Sequence, residues 1–389
     1  MTDLSVDYAG LKLPSPLLVA AAGISETVEL MKRAQDNGAG AIVMKSLFEE
    51  EFTRQFPTPC FRVIKRQLGS MRSSTFYSME QASSWGLDRY CEEIARAKKE
   101  LDIPIIGSIN CVTDEGWISY AKALEAAGAD AIELNRSCPY STQVIGDKDL
   151  WSILAAETVK LVKASVSIPI IPKFTPQLAN PIATAVMLEQ AGADGLCMFS
   201  RFTGLEIDVE SEKPIMHGGF AGHGGLWAIH YALRWIVATS PQVSIPISAS
   251  GGVGSTDDVI KYLLVGANNI QVCTAIYMQG FGVLKTLRSG VASFMERKGY
   301  QQIDDFRGNA CDTVLPMEQV DRRFKVVALI DSDKCNGCGL CERICVFGGP
   351  ESVGGKFRIG ARCRGCGLCS ELCPTGAITM ARTQPCALV

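Results

Sequence analysis

Up to about residue 290, short apolar runs alternate with helical patterns. The runs Leu17–Ala21, Ala41–Met44, Pro104–Ile109, Ala131–Leu134, Ile168–Lys173, Gly195–Phe199, Ile245–Ala249 and Asn269–Val272 read as buried strands of a parallel sheet. Between them, segments such as Trp117–Ala126, Leu150–Lys163 and Asp257–Leu264 carry apolar residues at helical spacing. Four strands are introduced by a similar turn: Asn37-Gly38-Ala39-Gly40, Ala127-Gly128-Ala129-Asp130, Ala191-Gly192-Ala193-Asp194 and Val265-Gly266-Ala267-Asn268. A glycine closing a helix just before a strand is what a repeated αβ unit requires. Eight such units predict an α/β fold of the (β/α)8 TIM-barrel type. A doubly wound sheet finds no support, because no Gly-x-Gly-x-x-Gly opens a helix after the first strand.

The pattern breaks in three places. Glu49–Trp85 is a long excursion between the second and third strands, a length that predicts function or extra structure. Residues 295–330 are more polar and read as a connector between a barrel at 1–294 and a small domain at 331–389. The run Ala131–Leu134 continues through Asn135, Arg136 and Ser137 to Cys138-Pro139, where proline forbids further pairing. Asn135 is thereby expected at the strand's C-terminal end and Cys138 on the loop above it, where barrel chemistry collects.

Composition narrows the function. The 389-residue chain has a net charge of −3, which gives no electrostatic case for nucleic acid or an anionic membrane. Its start lacks the basic and apolar regions of a signal peptide, and no apolar run reaches the ~20 residues of a membrane helix, so a cytoplasmic protein is expected. Of 16 cysteines, eight fall between Cys335 and Cys373. They form two copies of one spacing: Cys335-x2-Cys338-x2-Cys341-x3-Cys345 and Cys363-x2-Cys366-x2-Cys369-x3-Cys373-Pro374. Such runs hold two [4Fe–4S] clusters and exchange the fourth ligand. One cluster is assigned to Cys335, Cys338, Cys341 and Cys373, the other to Cys363, Cys366, Cys369 and Cys345. Zinc knuckles fit poorly, since they do not need two interleaved runs without histidine. Clusters move single electrons, so a two-electron centre is expected in the barrel.

Ser250-Gly251-Gly252-Val253 after the seventh strand, and Cys273-Thr274 after the eighth, stand where a barrel cradles phosphate; ordinary tight turns are the alternative. His217–Gly222 adds further glycines upstream.

With the segments Leu134–Pro139, Met44-Lys45-Ser46, Pro172–Pro176 and the two glycine stretches, the barrel resembles the FMN barrel of the dihydroorotate and dihydropyrimidine dehydrogenases. Joined to the cysteine module, it is similar to the FMN-bearing subunits of bacterial NAD-dependent dihydropyrimidine dehydrogenases. The resemblance implies FMN, with Lys45 and Lys173 at its ring and Asn110 and Asn135 hydrogen-bonding flavin or substrate. It implies that Ala221, Gly222, Ser250, Gly251, Gly252, Cys273 and Thr274 hold the phosphate side. Cys138 would protonate one carbon of an activated C=C bond in a small cyclic substrate. Ser200 lies between flavin and substrate, and Ser78, Glu80 and Arg201 belong to the substrate side. A partner subunit carrying FAD and binding NAD(P), or a ferredoxin, is expected to supply electrons, within a homo- or hetero-oligomer.

Ser78 and Ser200-Arg201 stand where the pyrimidine enzymes carry amides and a threonine, which removes groups that read a cyclic imide. Arg201 supplies a fork for a carboxylate or phosphate. Its alternative is an ion pair with Glu206 or Asp208. Dihydroorotate oxidation is therefore the second expectation. An electron-transfer subunit without a substrate of its own is the third, and it gives Cys138, Asn135 and the lysines nothing to do.

Overall fold

The computed structural model describes residues 2–68, 71–136 and 150–382. The chain divides into two compact units, one comprising residues up to Arg66 and Arg72–Val314, the other Gln67–Met71 and Leu315 onward.

The larger unit is a (β/α)8 barrel. Its parallel strands are β1 (Leu17–Val19), β2 (Ala41–Val43), β3 (Ile105–Asn110), β4 (Ala131–Leu134), β5 (Ile170–Pro172), β6 (Leu196–Met198), β7 (Ile247–Ser250) and β8 (Asn269–Val272). They pair in the order β5-β4-β3-β2-β1-β8-β7-β6. A bridge between Lys173 and Cys197 closes the ring from β5 to β6, with the Phe174 amide donating to the Cys197 carbonyl at 3.0 Å. The strands are buried almost throughout, as a parallel sheet covered on both sides demands, and the polar residues they carry, among them Ser108, Glu133 and Gln271, are buried with them. Several strands end a residue or two before their apolar runs do. Lys45 follows the end of β2, and Lys173, one residue past β5, keeps only the single bridge to Cys197.

The helices α1 (Val28–Asp36), α2 (Leu87–Glu100), α3 (Asp114–Ala126), α4 (Leu150–Lys163), α5 (Pro181–Gln190), α6 (Ile229–Thr239), α7 (Thr256–Leu264), α8 (Thr274–Gln279) and α9 (Gly282–Lys298) complete the unit. Side-chain caps start four of them: Thr27 on α1, Thr113 on α3, Asn180 on α5 and Ser255 on α7. The repeated turns have a common physical basis. Gly38, Gly128, Gly192 and Gly266 all sit at φ between 92° and 99°, a conformation that costs glycine little. The residue two positions later then stitches neighbouring strands together. Asp130 accepts the Ile105 amide at 2.7 Å, Asp194 that of Ile170 at 2.8 Å, and Asn268 that of Ile247 at 3.0 Å. In the first turn this position is Gly40, because a Cβ there would lie 2.0 Å from the Ser15 carbonyl oxygen.

The excursion after β2 contains a hairpin, Phe61–Leu68 and Met71–Ser78. The second hairpin strand pairs with Ala221–Gly224, which in turn pairs with Phe202–Gly204 from the loop after β6. Loops from two distant strand ends thus build one antiparallel sheet beside the barrel mouth.

In the smaller unit, Val326–Ile330 pairs with Ile378–Arg382 and Pro350–Val353 with Lys356–Ile359. Short helices Leu340–Ile344 and Leu368–Glu371 lie within the two cysteine runs and carry Cys341 and Cys369.

Candidate active site

The C-terminal ends of the strands converge on a cavity with about 1170 Å³ of empty space, its open mouth included. Lys45 follows β2, Asn135 follows β4, Lys173 follows β5, and Ser200-Arg201 follow β6. Ser250, Gly251 and Gly252 come from the end of β7, and Cys273 and Thr274 from the end of β8. The hairpin contributes Ser78 and Glu80, and its partner strand contributes Gly222 and His223. Two residues expected at the site stay outside the wall. Asn110 is buried behind Asn135, its side-chain nitrogen donating to the Asn135 carbonyl at 2.6 Å. Ala221 is buried in the antiparallel sheet opposite Gly204, where strand pairing occupies its backbone. Cys138 lies outside the described residues.

Two buried charge centres face the cavity. The first is Lys173, whose ammonium donates to Glu133 Oε1 at 3.1 Å and to Gln271 Oε1 at 3.0 Å, while Gln271 Nε2 donates to Glu133 Oε2 at 2.9 Å. Burial alone would strip the proton from such a lysine, but the Glu133 carboxylate outweighs that and raises its pKa. The second is Glu80. Its Oε1 accepts from the Tyr277 hydroxyl at 2.7 Å and the Gly23 amide at 3.1 Å, and its Oε2 from Ser78 Oγ at 3.0 Å. Lys45 donates to the Glu80 carbonyl at 2.5 Å. Burial pushes the Glu80 carboxyl up, yet Lys45, Tyr277 and Arg201 together hold it below the ordinary 4.5. Arg201 itself donates to Ser78 Oγ at 2.8 Å and lies against Gly222, where a Cβ would be 2.0 Å from its Cδ. Of the two carboxylates weighed as its partners, Glu206 pairs with Arg66 at 2.7 Å and Asp208 accepts the Ser211 amide at 2.8 Å.

The opposite wall suits an anion. Gly251 and Gly252 have φ of 107° and 72°, and a Cβ at Gly252 would sit 2.4 Å from the Ile229 nitrogen at the start of α6. Neither α6 nor α8 carries a side-chain cap, unlike α1, α3, α5 and α7. The 3-10 turn Leu226–Ala228 that leads into α6, and α8 after β8, both open without a side-chain cap beside this glycine turn, which suits a phosphate. Buried lysines at the other end, with Asn135 between, match a flavin's polar ring edge. The residues present therefore fit FMN.

Sequence reasoning missed Glu133, Gln271 and Tyr277. A carboxylate inside the apolar run Ala131–Leu134 was the available signal for Glu133, since an unpaired charge is not tolerated in a covered strand. Nothing local marks Tyr277, whose partner lies almost two hundred residues earlier in the chain.

In the smaller unit, Cys335, Cys338, Cys341 and Cys373 line one pocket, joined by Cys369. Cys345 Sγ accepts the Gly349 amide at 3.3 Å, and Gly349 packs against Cys363. Burial pushes the Cys341 and Cys369 thiols up, and the crowding of neighbouring cysteines adds to it. Bound cationic iron relieves that crowding, so the residues fit the cluster assignment.

Residues 3–295 match the dihydroorotate dehydrogenase family, and residues 327–350 and 360–379 each match a 4Fe-4S binding domain. The chain is 29% identical over 363 residues to the NAD-dependent dihydropyrimidine dehydrogenase subunit PreA of Escherichia coli, covering 90% of this chain and 87% of that one. It is 30% identical over 310 residues to the dihydroorotate dehydrogenase B (NAD(+)) catalytic subunit of Pyrococcus abyssi, covering 79% of this chain and 99% of the relative. A similar match, 30% over 316 residues, is found to the corresponding catalytic subunit of Geobacillus kaustophilus.

Proposed function

The chain belongs to the dihydroorotate dehydrogenase family, and from that premise we propose that it reduces, or reversibly oxidises, an activated C=C bond of a small cyclic substrate, as a dihydropyrimidine dehydrogenase does. It is an oxidoreductase acting on CH–CH bonds, with FMN and two [4Fe–4S] clusters. FMN, when bound, exchanges a hydride with one substrate carbon. The chain's own residues do the rest. Ser250, Gly251, Gly252, Cys273 and Thr274 hold the phosphate side, and Lys45 and Lys173 set the charge beside the ring. Asn135, backed by Asn110, orients flavin or substrate. Ser78, Glu80, Ser200 and Arg201 line the substrate side, and the Cys138 thiol gives a proton to the second carbon.

The observation that carries this reading is the convergence in one cavity of two buried lysines and Asn135 with the glycine turn at Gly251-Gly252. An electron relay needs neither the lysines nor Asn135. A second reading, oxidation of a carboxylate-bearing ring such as dihydroorotate, is favoured by Arg201, a guanidinium in the cavity wall beside Ser78 and Glu80. The relatives' printed names, a subunit of an NAD-dependent enzyme and the catalytic subunit of an NAD(+) enzyme, support a partner protein that handles the nicotinamide.

The test is reoxidation of the photoreduced protein by a panel of unsaturated cyclic amides and carboxylates, with and without Arg201→Met. A charge-assisted contact is worth roughly 1.5–3 kcal/mol, about one to two decades in affinity. The variant is expected to raise the apparent constant by that much for an acidic substrate and little for uracil. Equal effects on both would remove Arg201 from substrate recognition, and no turnover of any compound would leave the relay reading standing.

A further inference from the structure

Glu133 takes no part in the chemistry above, although it is fully buried and charged beneath the cavity. Its hydrogen bonds reach both sides of the site. One arm is the ring formed with Lys173 and Gln271, in which the Gln271 amide is held one way round because its oxygen meets an ammonium and its nitrogen a carboxylate. The other arm runs through side chains: Asn135 Nδ2 donates to Ser46 Oγ at 2.9 Å, Ser46 and Ser108 hydroxyls lie 2.8 Å apart, and Ser108 Oγ donates to Glu133 Oε1 at 3.3 Å. The groups near Lys173 from neighbouring elements are Cys197 in β6, its bridge partner, and Cys273 after β8, while Tyr8 and Tyr90 lie near Glu133. Burial keeps the Tyr8, Tyr90, Cys197 and Cys273 groups protonated at neutral pH, which leaves Glu133 as the carboxylate answering the lysine. A pair this deep gives weak stability for its desolvation cost, so its presence at the floor of a cofactor site calls for another role.

We propose that Glu133 is a positioning residue that holds Lys173 protonated and partly neutralised at the wall of the FMN cavity, and so sets how readily a bound flavin accepts electrons. The proposal rests on FMN occupying the barrel cavity. With the pair intact, Lys173 keeps its proton across the neutral range and the flavin feels a small net field. Without the carboxylate, the ammonium is uncompensated at low pH and favours the negative charge the ring gains on reduction. As pH rises, a buried unpaired lysine loses its proton and the advantage goes with it.

The experiment equilibrates the FMN of the intact holoprotein with a reference dye between pH 6 and pH 9, alongside Glu133→Gln and Glu133→Asp. The glutamine variant is expected to shift the equilibrium toward reduced flavin at least tenfold at the acid end, about 30 mV for a two-electron couple, and to lose that shift as pH rises. The aspartate variant is expected to follow the unaltered profile. A glutamine variant whose profile parallels that of the unaltered protein overturns the proposal. Absence of FMN from the unaltered protein instead overturns the cofactor reading on which it rests. Should Glu133→Gln fail to fold, the double variant Glu133→Gln/Lys173→Met decides the matter. Removing both charges together is expected to restore folding, because an unpaired buried ammonium is the fault; a double variant that also fails makes Glu133 a packing residue and overturns the proposal.

Discussion

A thiol releases its proton several pK units more readily than an aliphatic hydroxyl, and that gap decides what replacing Cys138 does. Cys138→Ala is expected to abolish steady-state turnover while FMN and iron contents stay at the level of the unaltered protein. Cys138→Ser is expected to retain some activity only at higher pH and in the direction of substrate oxidation, where the hydroxyl accepts a proton instead of giving one. Full turnover by the alanine variant would return Cys138 to the ordinary cysteines. The other barrel thiols near the site are unsuited to the task. Burial raises those of Cys111 and Cys197 and pushes that of Cys273 up to about 12, so none exchanges a proton easily at neutral pH.

One residue of α8 adds to the strand pairing that holds the hairpin after β2. Tyr277 stacks with Phe76 at 5.7 Å, meets Phe61 at 4.9 Å and donates to Glu80. Because the Glu80 carboxyl is held below 4.5 in the folded protein, its ionised form contributes stability at and above that pH, and the contribution is lost as pH falls through the folded value. Glu80→Gln is expected to cost roughly 1–3 kcal/mol at pH 7, read as a lower Tm, with the gap to the unaltered protein closing below about pH 4.5. A gap independent of pH would show that shape, and not charge, holds the hairpin. This arrangement also marks the limit of what the sequence discloses. The eight strands and their glycine turns are legible because each depends on a few adjacent residues. The role of Asp130, Asp194 and Asn268 is not, since each accepts an amide from a strand more than twenty residues earlier. The pairing of Ser78 with Gly222 is likewise invisible to any local periodicity. Glu133 was visible as an anomaly in an apolar run, but its partners come from β3, β5 and β8.

At the scale of the whole molecule, two-electron and one-electron chemistry share one chain, and no helix among the described residues is long and apolar enough to cross a membrane. The sequence carries no Gly-x-Gly-x-x-Gly opening a helix after a strand, the fingerprint a nicotinamide dinucleotide would need. Mixed anaerobically with excess NADH or NADPH in a stopped-flow instrument, the isolated chain is therefore expected to show no rapid flavin bleaching. Bleaching without a partner protein would place a nicotinamide site on this chain and redraw the electron path. The smaller unit has its own consequence for biogenesis. Cys373 lines the same pocket as Cys335, Cys338 and Cys341, while Cys345 of the first run lies beside the second. On the proposed ligand exchange, neither iron site is complete when the first cysteine run leaves the ribosome, and the first waits for Cys373, by which point the ligands of both are present. Metal binding then couples to the folding of the whole unit, not to that of either run alone.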